Sequence, residues 1–110
     1  MIIQQNINHG GEKLAVYWIA RAKINEPVEY KKYADLVPDI LAKYDAKILA
    51  RGGEYKTLEG PEVFERFVVI EFPSMEVAKA CFNSAEYQEA ATFRRNNQVG
   101  HNELTVVAGT

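Results

Sequence analysis

Two segments of this chain are apolar in both of their alternating sets of side chains, and no other feature constrains the fold as much. They are residues 14–23, LAVYWIARAK, and residues 66–72, RFVVIEF. Both are rich in β-branched and aromatic residues, which favour strands, and a strand with two apolar sets is covered on both faces. We therefore expect strands over Leu14–Lys23 and Arg66–Phe72 in a sheet whose two faces are both covered.

Helical patterns follow each of these strands. Asn25-Glu26-Pro27 supplies a capping residue and a proline suited to a first helical turn. Six residues then recur at helical spacing: Tyr30, Tyr33, Val37, Ile40, Leu41 and Tyr44. Pro38 removes the hydrogen bond to the carbonyl of Ala34, so we expect a kink or a break into two segments there. Later in the chain, Ser74 and Ser84 are each placed to cap a short helix.

The other strands are shorter. Residues 46–51, AKILAR, predict a strand, and Gly52-Gly53 predicts a tight hairpin with an arm strand over Glu54–Leu58. Glu103–Ala108 predicts the last strand. The order of elements is typical of an α+β chain of the ferredoxin-like, split βαβ type. It has a four-stranded antiparallel sheet, helices on one face and a short hairpin arm.

The second face of this sheet lacks a cover within the chain, because the helices cover only one face. A second copy of the chain is the simplest cover, so we expect a homodimer formed by sheet-to-sheet packing. The polar leader over residues 1–13 predicts a loose N-terminal extension, which leaves residues 14–110 as one domain.

Composition excludes several classes of function. Thirteen Lys and Arg against fifteen Asp and Glu give a net charge of -2, which argues against nucleic acid as a partner. No apolar run suggests a signal peptide or membrane span, and the single Cys81 fits a cytoplasmic protein. His9 and His101 have no partner at metal-ligand spacing, so we expect no metal site, haem or other cofactor.

Several motifs together resemble the uncharacterised bacterial family known as domain of unknown function 1330. They are the strand and helix over residues 17–44, LARGG at 49–53, Glu59-Gly60, VIEFPS at 69–74, and NSAEY at 83–87 followed by Arg94. The resemblance implies a dimeric α+β barrel with small-molecule chemistry in clefts between sheet and helices, and no particular reaction. Asp45-Ala46 stands where the family pattern usually runs through glycine, which affects the turn into the second strand.

Three residues are the main candidates for ligand binding. Arg51 either forms an exposed cross-strand ion pair with Glu54 or holds a carboxylate or phosphate with its planar guanidinium. Tyr87 and Arg94 lie two helical turns apart on one face, with two alanines between them. They either border a shallow groove for a ligand or serve as a core anchor and a helix C-terminal charge.

Other residues are weaker candidates. Arg21 and Glu71 are charges on the expected central strands, and they either pair with each other or with the partner chain, or one acts as an acid or base. Glu59 is a turn carboxylate that could act as an acid or simply be solvated. Cys81 is more typical of a small buried hydrophobe than of a nucleophile.

Three functions remain open at this point. The first is a cofactor-independent enzyme acting on a small anionic or aromatic organic molecule, with arginine holding charge and Tyr87 or Glu71 moving protons. The second is a protein that binds a small metabolite without turning it over. The third is a structural dimer whose arm recruits another protein. Because the first rests mainly on analogy of fold, the site itself has to decide between them.

Overall fold

The computed structural model describes residues 14–110, so the predicted N-terminal extension and His9 lie outside the described residues. The elements, in chain order, are β1 (Val16–Ile24), α1 (Pro27–Ala42), β2 (Lys47–Arg51), β3 (Arg66–Phe72), α2 (Met75–Asn83), α3 (Ala85–Arg95), a 3-10 turn (Asn96–Gln98) and β4 (Gly100–Ala108). The last strand therefore begins three residues earlier than the sequence predicts. Over the described residues no helix is long and apolar enough to cross a membrane.

The four strands form one antiparallel sheet in the order β2-β3-β1-β4, which is the predicted ferredoxin-like arrangement. The alternation of β1 divides the sheet into two faces. Val16, Trp18 and Ala20 are buried beneath the helices, whereas Tyr17 and Ile19 point to the opposite side and are partly or largely exposed. We call that opposite side the open face. The strands cross-paired with β1 follow the same alternation, because directly opposed residues share a face.

The core lies between the sheet and the three helices and is centred on Trp18. Its ring lies 5.5 Å from that of Phe72 and 5.4 Å from that of Tyr87, measured between centroids. Aromatic pairs at such distances contribute beyond the area that they bury. As the sequence predicts, the hydroxyl oxygens of Ser74 and Ser84 accept hydrogen bonds from the backbone amides of Val77 and Tyr87 and so begin α2 and α3. Asn25 does not cap α1, because its side-chain amide donates to the carbonyl of Gln98.

Of the two outcomes expected at Pro38, a kink or a break into two segments, the break is wrong, because α1 continues as one helix from Pro27 to Ala42 with this proline inside it. A proline in a helix interior costs about 3 kcal/mol. Tyr30 and Tyr33 anchor the first half of α1 to the sheet, and Ile40 and Leu41 anchor the second half. Each buried side chain of this size contributes roughly 1.5–3 kcal/mol, so packing on both sides of Pro38 outweighs its cost.

The predicted hairpin at Gly52-Gly53 is also wrong. β2 pairs with β3 instead, and residues 52–65 form an arm without regular secondary structure. Gly52 does take a positive φ of 64°, but its amide extends the pairing with β3 by donating to the carbonyl of Phe67. β2 thus gains a partner strand that already belongs to the sheet. The arm contacts the sheet through the ring of Tyr55, which lies 5.0 Å from that of Phe67.

Asp45, which replaces the glycine of the family pattern, lies in the turn between α1 and β2. Its φ of 55° is in the left-handed region, where a side chain is unfavourable and glycine is not. The turn nevertheless forms, with the amide of Ala46 donating to the carbonyl of Leu41. The departure from the family pattern leaves the fold intact.

Candidate functional site

A cleft lies between α1 and the helix-facing side of the sheet, and the charged residues that line it are all arginines. We call it the arginine cleft, after Arg51 and Arg66, which line it together with Arg21, Tyr30, Tyr33 and Asn102. The rest of its wall is apolar and includes Trp18, Ala20, Ala22, Ala34, Val37, Leu41, Ile48, Val68 and Ile70. The empty space totals about 490 Å³ with its open mouth, but the centre of a water-sized sphere can occupy only about 30 Å³ of it. The cleft is therefore narrow.

Arg51 reaches this cleft because of a bulge in β2. Ile48 is opposite Ile70, but Ala50 is opposite Val69 and Arg51 is opposite Val68, so one residue of β2 is extra. Without the bulge, Arg51 would face Phe67 and lie on the open face. An extra residue inverts the alternation that follows it, which turns this arginine toward the helices. Arg66 does not depend on a bulge, because it pairs with Ala22, which already places it on the helix-facing side of the sheet.

Within residues 14–110, Arg51 and Arg66 have no acidic partner. The ion pairs that Arg and Lys form there involve Arg21, Lys31, Lys32 and Lys43, so of the three arginines that line the cleft only Arg21 is paired, with Glu103. The guanidinium carbon of Arg66 lies 5.9 Å from the centroid of the Tyr30 ring, which is a distant cation-π contact. The mouth of the cleft is thus positive although the chain as a whole carries a net charge of -2.

Tyr30 holds its hydroxyl on the inner wall of the cleft. That hydroxyl donates to the side-chain oxygen of Asn102 over 3.1 Å. Burial raises the pKa of Tyr30 more than the bond to Asn102 lowers it, so this phenol stays protonated near neutral pH.

Behind the cleft, Tyr33, Tyr87 and Arg94 form a buried polar cluster. The two phenolic oxygens lie 2.8 Å apart, and Arg94 Nη2 donates to the oxygen of Tyr87 over 3.1 Å. The guanidinium carbon of Arg94 also lies 4.9 Å from the centroid of the Tyr33 ring. Arg94 is only 6% exposed, and its Nε hydrogen has no hydrogen-bond partner among the described residues.

The charge in this cluster is carried by Arg94 alone. Burial acts to lower the pKa of Arg94, but the phenolic oxygens of Tyr87 and Tyr33 outweigh it, and the guanidinium stays charged. Burial, and then the proximity of Tyr87, raises the pKa of Tyr33 well above its usual 10.0. The cluster is therefore a buried cation beside two phenolic oxygens, with no carboxylate from residues 14–110 paired to it.

The structure places the candidate site residues that the sequence suggests in different parts of the molecule. Arg51 lines the cleft, and its expected ion pair with Glu54 is not formed. Tyr87 and Arg94 do contact each other, but both are buried, and the alanines between them, Ala90 and Ala91, are buried as well, so no groove opens between the two. Arg94 borders a different groove, toward β4. Tyr33 connects Tyr87 and Arg94 to the cleft, because its hydroxyl contacts that of Tyr87 and its ring contacts the guanidinium of Arg94.

The acidic candidates lie elsewhere. Glu71 is on the open face, opposite Tyr17 and Lys47. Arg21 does not pair with Glu71, because it forms a half-exposed ion pair with Glu103, with a nitrogen-to-oxygen distance of 2.9 Å. Glu59 is exposed on the arm and lines a separate groove beside Phe64 and Phe67.

Cys81 and His101 take no part in the cleft. Burial raises the pKa of the Cys81 thiol to about 11, and this residue is fully enclosed in the core. His101 is exposed on β4, with its ring 6.1 Å from that of Phe64. In the part of the chain that the structure describes, no three His, Cys, Asp or Glu side chains are grouped as metal ligands.

Sequence reasoning missed Arg66, Tyr30, Tyr33 and Asn102 as residues of the cleft. The alternation of β3 could have indicated Arg66, since it falls in the same set as Val68 and Ile70. The two tyrosines were expected only as apolar residues of α1, and their hydroxyls became relevant once α1 was placed over the sheet. Asn102 precedes the predicted start of the last strand and so had no assigned face.

Solved structures support the fold. A protein of unknown function from Rhodopseudomonas palustris superposes with a TM-score of 0.69 at 16% identity, over 89% of this chain and 84% of that one. A cofactor-independent oxygenase from Streptomyces nogalater superposes with a TM-score of 0.61 at 12% identity, over 88% and 94% of the two chains. A protein from Bacteroides fragilis, described as dimeric and ferredoxin-like, gives 0.60 at 13% identity, over 86% and 96%. At these identities the likeness extends to the fold alone.

No curated protein matches the chain. The model of one protein family does match it, over residues 15–110, and that range contains every described strand and helix. The chain belongs to the family described as Domain of unknown function (DUF1330).

Proposed function

We propose that this chain binds a small organic anion in the arginine cleft and acts on it as an enzyme. The observation that carries the proposal is the pair of arginines, Arg51 and Arg66, which line an apolar cleft and have no acidic partner among residues 14–110. Unpaired guanidinium groups beside apolar walls favour a ligand that supplies the missing negative charge. A guanidinium binds a carboxylate or a phosphate through two parallel hydrogen bonds.

The shape of the cleft limits the body of this anion. Its walls are apolar except at the arginines, the two tyrosines and Asn102, and little of its volume admits even a water-sized sphere. A flat or slender apolar body fits such a space, with its charged end at the flexible arginine side chains. An aromatic carboxylate has this combination of features.

The phenols on the inner wall support a chemical role. A phenol that stays protonated at neutral pH can donate a hydrogen bond to an oxygen that becomes negative during a reaction, which lowers the barrier to reaching that state. Reactions through an enolate or phenolate would benefit most. The cofactor-independent oxygenase from Streptomyces nogalater shows that a protein of this fold can act on substrates, which makes such chemistry a reasonable proposal for this chain.

A direct test uses benzoate and its neutral isostere benzamide as probes, with binding measured by ligand-observed NMR. We expect benzoate to bind and benzamide to bind much more weakly. Arg51→Gln and Arg66→Gln should each weaken benzoate binding by about 1.5–3 kcal/mol, the usual range for hydrogen bonds to charged groups. Arg95→Gln removes the same charge from an arginine outside the cleft and serves as the control. Equal binding of both probes, or equal losses in all three variants, would contradict the proposal.

Binding without turnover is the second candidate, and one observation favours it. Among the described residues, the lining of the cleft includes no Asp, Glu or His, so it holds no ordinary general base. An enzyme working here would have to rely on a reactive substrate rather than on deprotonation by a side chain. Mass spectrometry of compounds incubated with the chain distinguishes binding from catalysis, because a protein that only binds its ligand leaves the mass of that ligand unchanged.

We further propose that two copies of the chain associate through the open face. Ile19 and Val107 are 47% and 46% exposed there, and Phe67 and Val69 lie beside them on β3. The similar Bacteroides fragilis protein is described as dimeric, which supports the same assembly here. A stable interface of this kind buries more than about 2,000 Å².

Sedimentation tests this assembly. Ile19→Lys should convert the dimer to a monomer, because two copies would bury unpaired ammonium groups against each other. Leu36→Lys, at an equally exposed apolar position on α1, should leave the mass unchanged. A monomeric native chain at micromolar concentration would contradict the proposal.

A further inference from the structure

Among the described residues, Tyr33 belongs to both the arginine cleft and the buried cluster behind it. It is one of the residues that line the cleft, and its hydroxyl oxygen lies 2.8 Å from that of Tyr87. Only one hydrogen can lie between two phenolic oxygens, so the direction of this hydrogen bond decides what Tyr33 can offer to a ligand.

The surroundings of Tyr87 determine that direction. Tyr87 is fully buried, and within residues 14–110 its hydroxyl contacts only Tyr33 and Arg94. Arg94 cannot accept a hydrogen bond, because a guanidinium has donors only. The hydrogen of Tyr87 therefore goes to the oxygen of Tyr33, since the other arrangement would leave a buried hydroxyl hydrogen without an acceptor.

The hydrogen of Tyr33 is then left without an acceptor inside the described protein. We propose that it is the donor of a ligand-binding hydrogen bond in the arginine cleft, set in this direction by Arg94 and Tyr87. Tyr30 offers a contrast, since its hydrogen is already used by Asn102. The inference rests on the proposed function, because it assigns a role at the same cleft.

The ligand atom that this donor recognises is an oxygen separate from the carboxylate. The carboxylate belongs with Arg51 and Arg66, and Tyr33 lies on α1, where the cleft meets the buried cluster. The guanidinium carbon of Arg94 lies 4.9 Å from the ring of Tyr33, and in the described part of the chain Arg94 has no acidic partner. Its positive charge favours an acceptor that carries or develops negative charge. The ligand class is thus a small carboxylate with a second, carbonyl-type or enolate-type oxygen.

One measurement tests the direction of the hydrogen bond without any ligand. Tyrosine labelled with ¹³C at Cζ gives two signals in mixed H2O and D2O when its hydroxyl exchanges slowly, and one averaged signal when it exchanges fast. Single Tyr→Phe variants assign the signals. We expect two signals for Tyr87 and one for Tyr33. Slow exchange at Tyr33, or fast exchange at Tyr87, would overturn the proposal.

A second measurement tests the ligand itself, with 4-acetylbenzoate and its carbon isostere 4-isopropenylbenzoate as probes. The two molecules share a carboxylate and a flat body, and only the first has an acceptor oxygen at the far end. We expect the wild-type chain to bind the acetyl compound about fivefold more tightly, as one net hydrogen bond predicts. Tyr33→Phe should abolish this preference, whereas Tyr30→Phe should keep it, whatever its effect on affinity.

The outcomes separate the two proposals. If both compounds bind with equal affinity, or if Tyr33→Phe retains the preference, the role of Tyr33 is wrong and the proposed anion site stands. If neither compound nor benzoate binds, the proposed function fails, and the role of Tyr33 at the ligand fails with it. A preference lost in Tyr33→Phe alone supports both.

Discussion

Removal of one oxygen from Tyr87 should destabilise this protein more than removal of one oxygen from Tyr33. The two side chains are hydrogen-bonded to each other over 2.8 Å and are both buried. Phenylalanine keeps each ring, so packing and the contact between Arg94 and the Tyr33 ring remain. The comparison therefore isolates what each oxygen does for Arg94.

The expected losses in the free energy of unfolding depend on which group is left without a hydrogen-bond partner. Tyr87→Phe removes the acceptor of Arg94 Nη2, and Arg94 Nε already lacks a partner among the described residues, so a buried cation loses its hydrogen bond to the Tyr87 oxygen. Such a loss costs about 2–3 kcal/mol. Tyr33→Phe leaves the buried hydroxyl hydrogen of Tyr87 without an acceptor, and an unpaired neutral donor costs about 1–2 kcal/mol. For a domain of this size, these losses lower Tm by roughly 10–20 °C and about 5–10 °C.

Urea unfolding at one fixed protein concentration is the appropriate assay, because dimerisation would make the apparent stability depend on concentration. The slopes of the unfolding curves should agree between variants, so that shifts in midpoint report stability. The double variant should cost less than the sum of the two single losses, since both remove the same mutual bond. Equal losses in the two single variants, or a larger loss for Tyr33→Phe, would refute the reasoning.

Three further predictions concern other parts of the chain. Cys81, buried and with its thiol pKa raised to about 11, should resist iodoacetamide at pH 8 and react only as the protein unfolds, so modification in the native state would contradict its enclosure. Because burial raises the pKa of Tyr33 above its usual 10.0, its contribution to the free energy of unfolding is complete below pH 10 and is lost as the pH rises further. Tyr33→Phe should make the alkaline decline in Tm less steep, and an unchanged decline would count against this. Asp45→Gly should raise the free energy of unfolding by up to about 1 kcal/mol in thermal or urea unfolding, because φ at this position is 55°, and a loss of stability would show that the Asp45 side chain stabilises its turn.

The sequence predicted most of the fold because the deciding signals are local. The apolar sets of β1 and β3, the helical spacing of α1 and the serine caps of α2 and α3 each depend on residues close together in the chain. Errors arose where a local signal competed with distant packing. Pro38 indicates a break by itself, yet the contacts on both sides of it hold α1 together. Gly52-Gly53 indicates a hairpin, yet β3 offers β2 a better partner than the arm does.

The candidate site was predicted only in part, for a similar reason. Arg51 is a candidate because the family resemblance places it beside Gly52-Gly53 and its planar guanidinium can hold an anion, but the face on which it lies depends on a one-residue bulge that no pattern in β2 predicts. Tyr87 and Arg94 were expected side by side on α3, and they are. Their burial depends on Tyr33, which lies 54 residues away in the chain from Tyr87.

By itself, then, the sequence determined the family, the order of the elements and the apolar faces that drive the sheet and helices together, since these follow from periodicity and residue type. The tertiary structure alone decided which polar atoms meet. It placed Arg51 and Arg66 at one cleft and gave Arg94 two phenols instead of a carboxylate. The physical reason is range: apolar burial acts on whole faces and tolerates small errors of register, whereas a hydrogen bond or an ion pair requires atoms within about 3 Å, a distance that only the packed chain fixes.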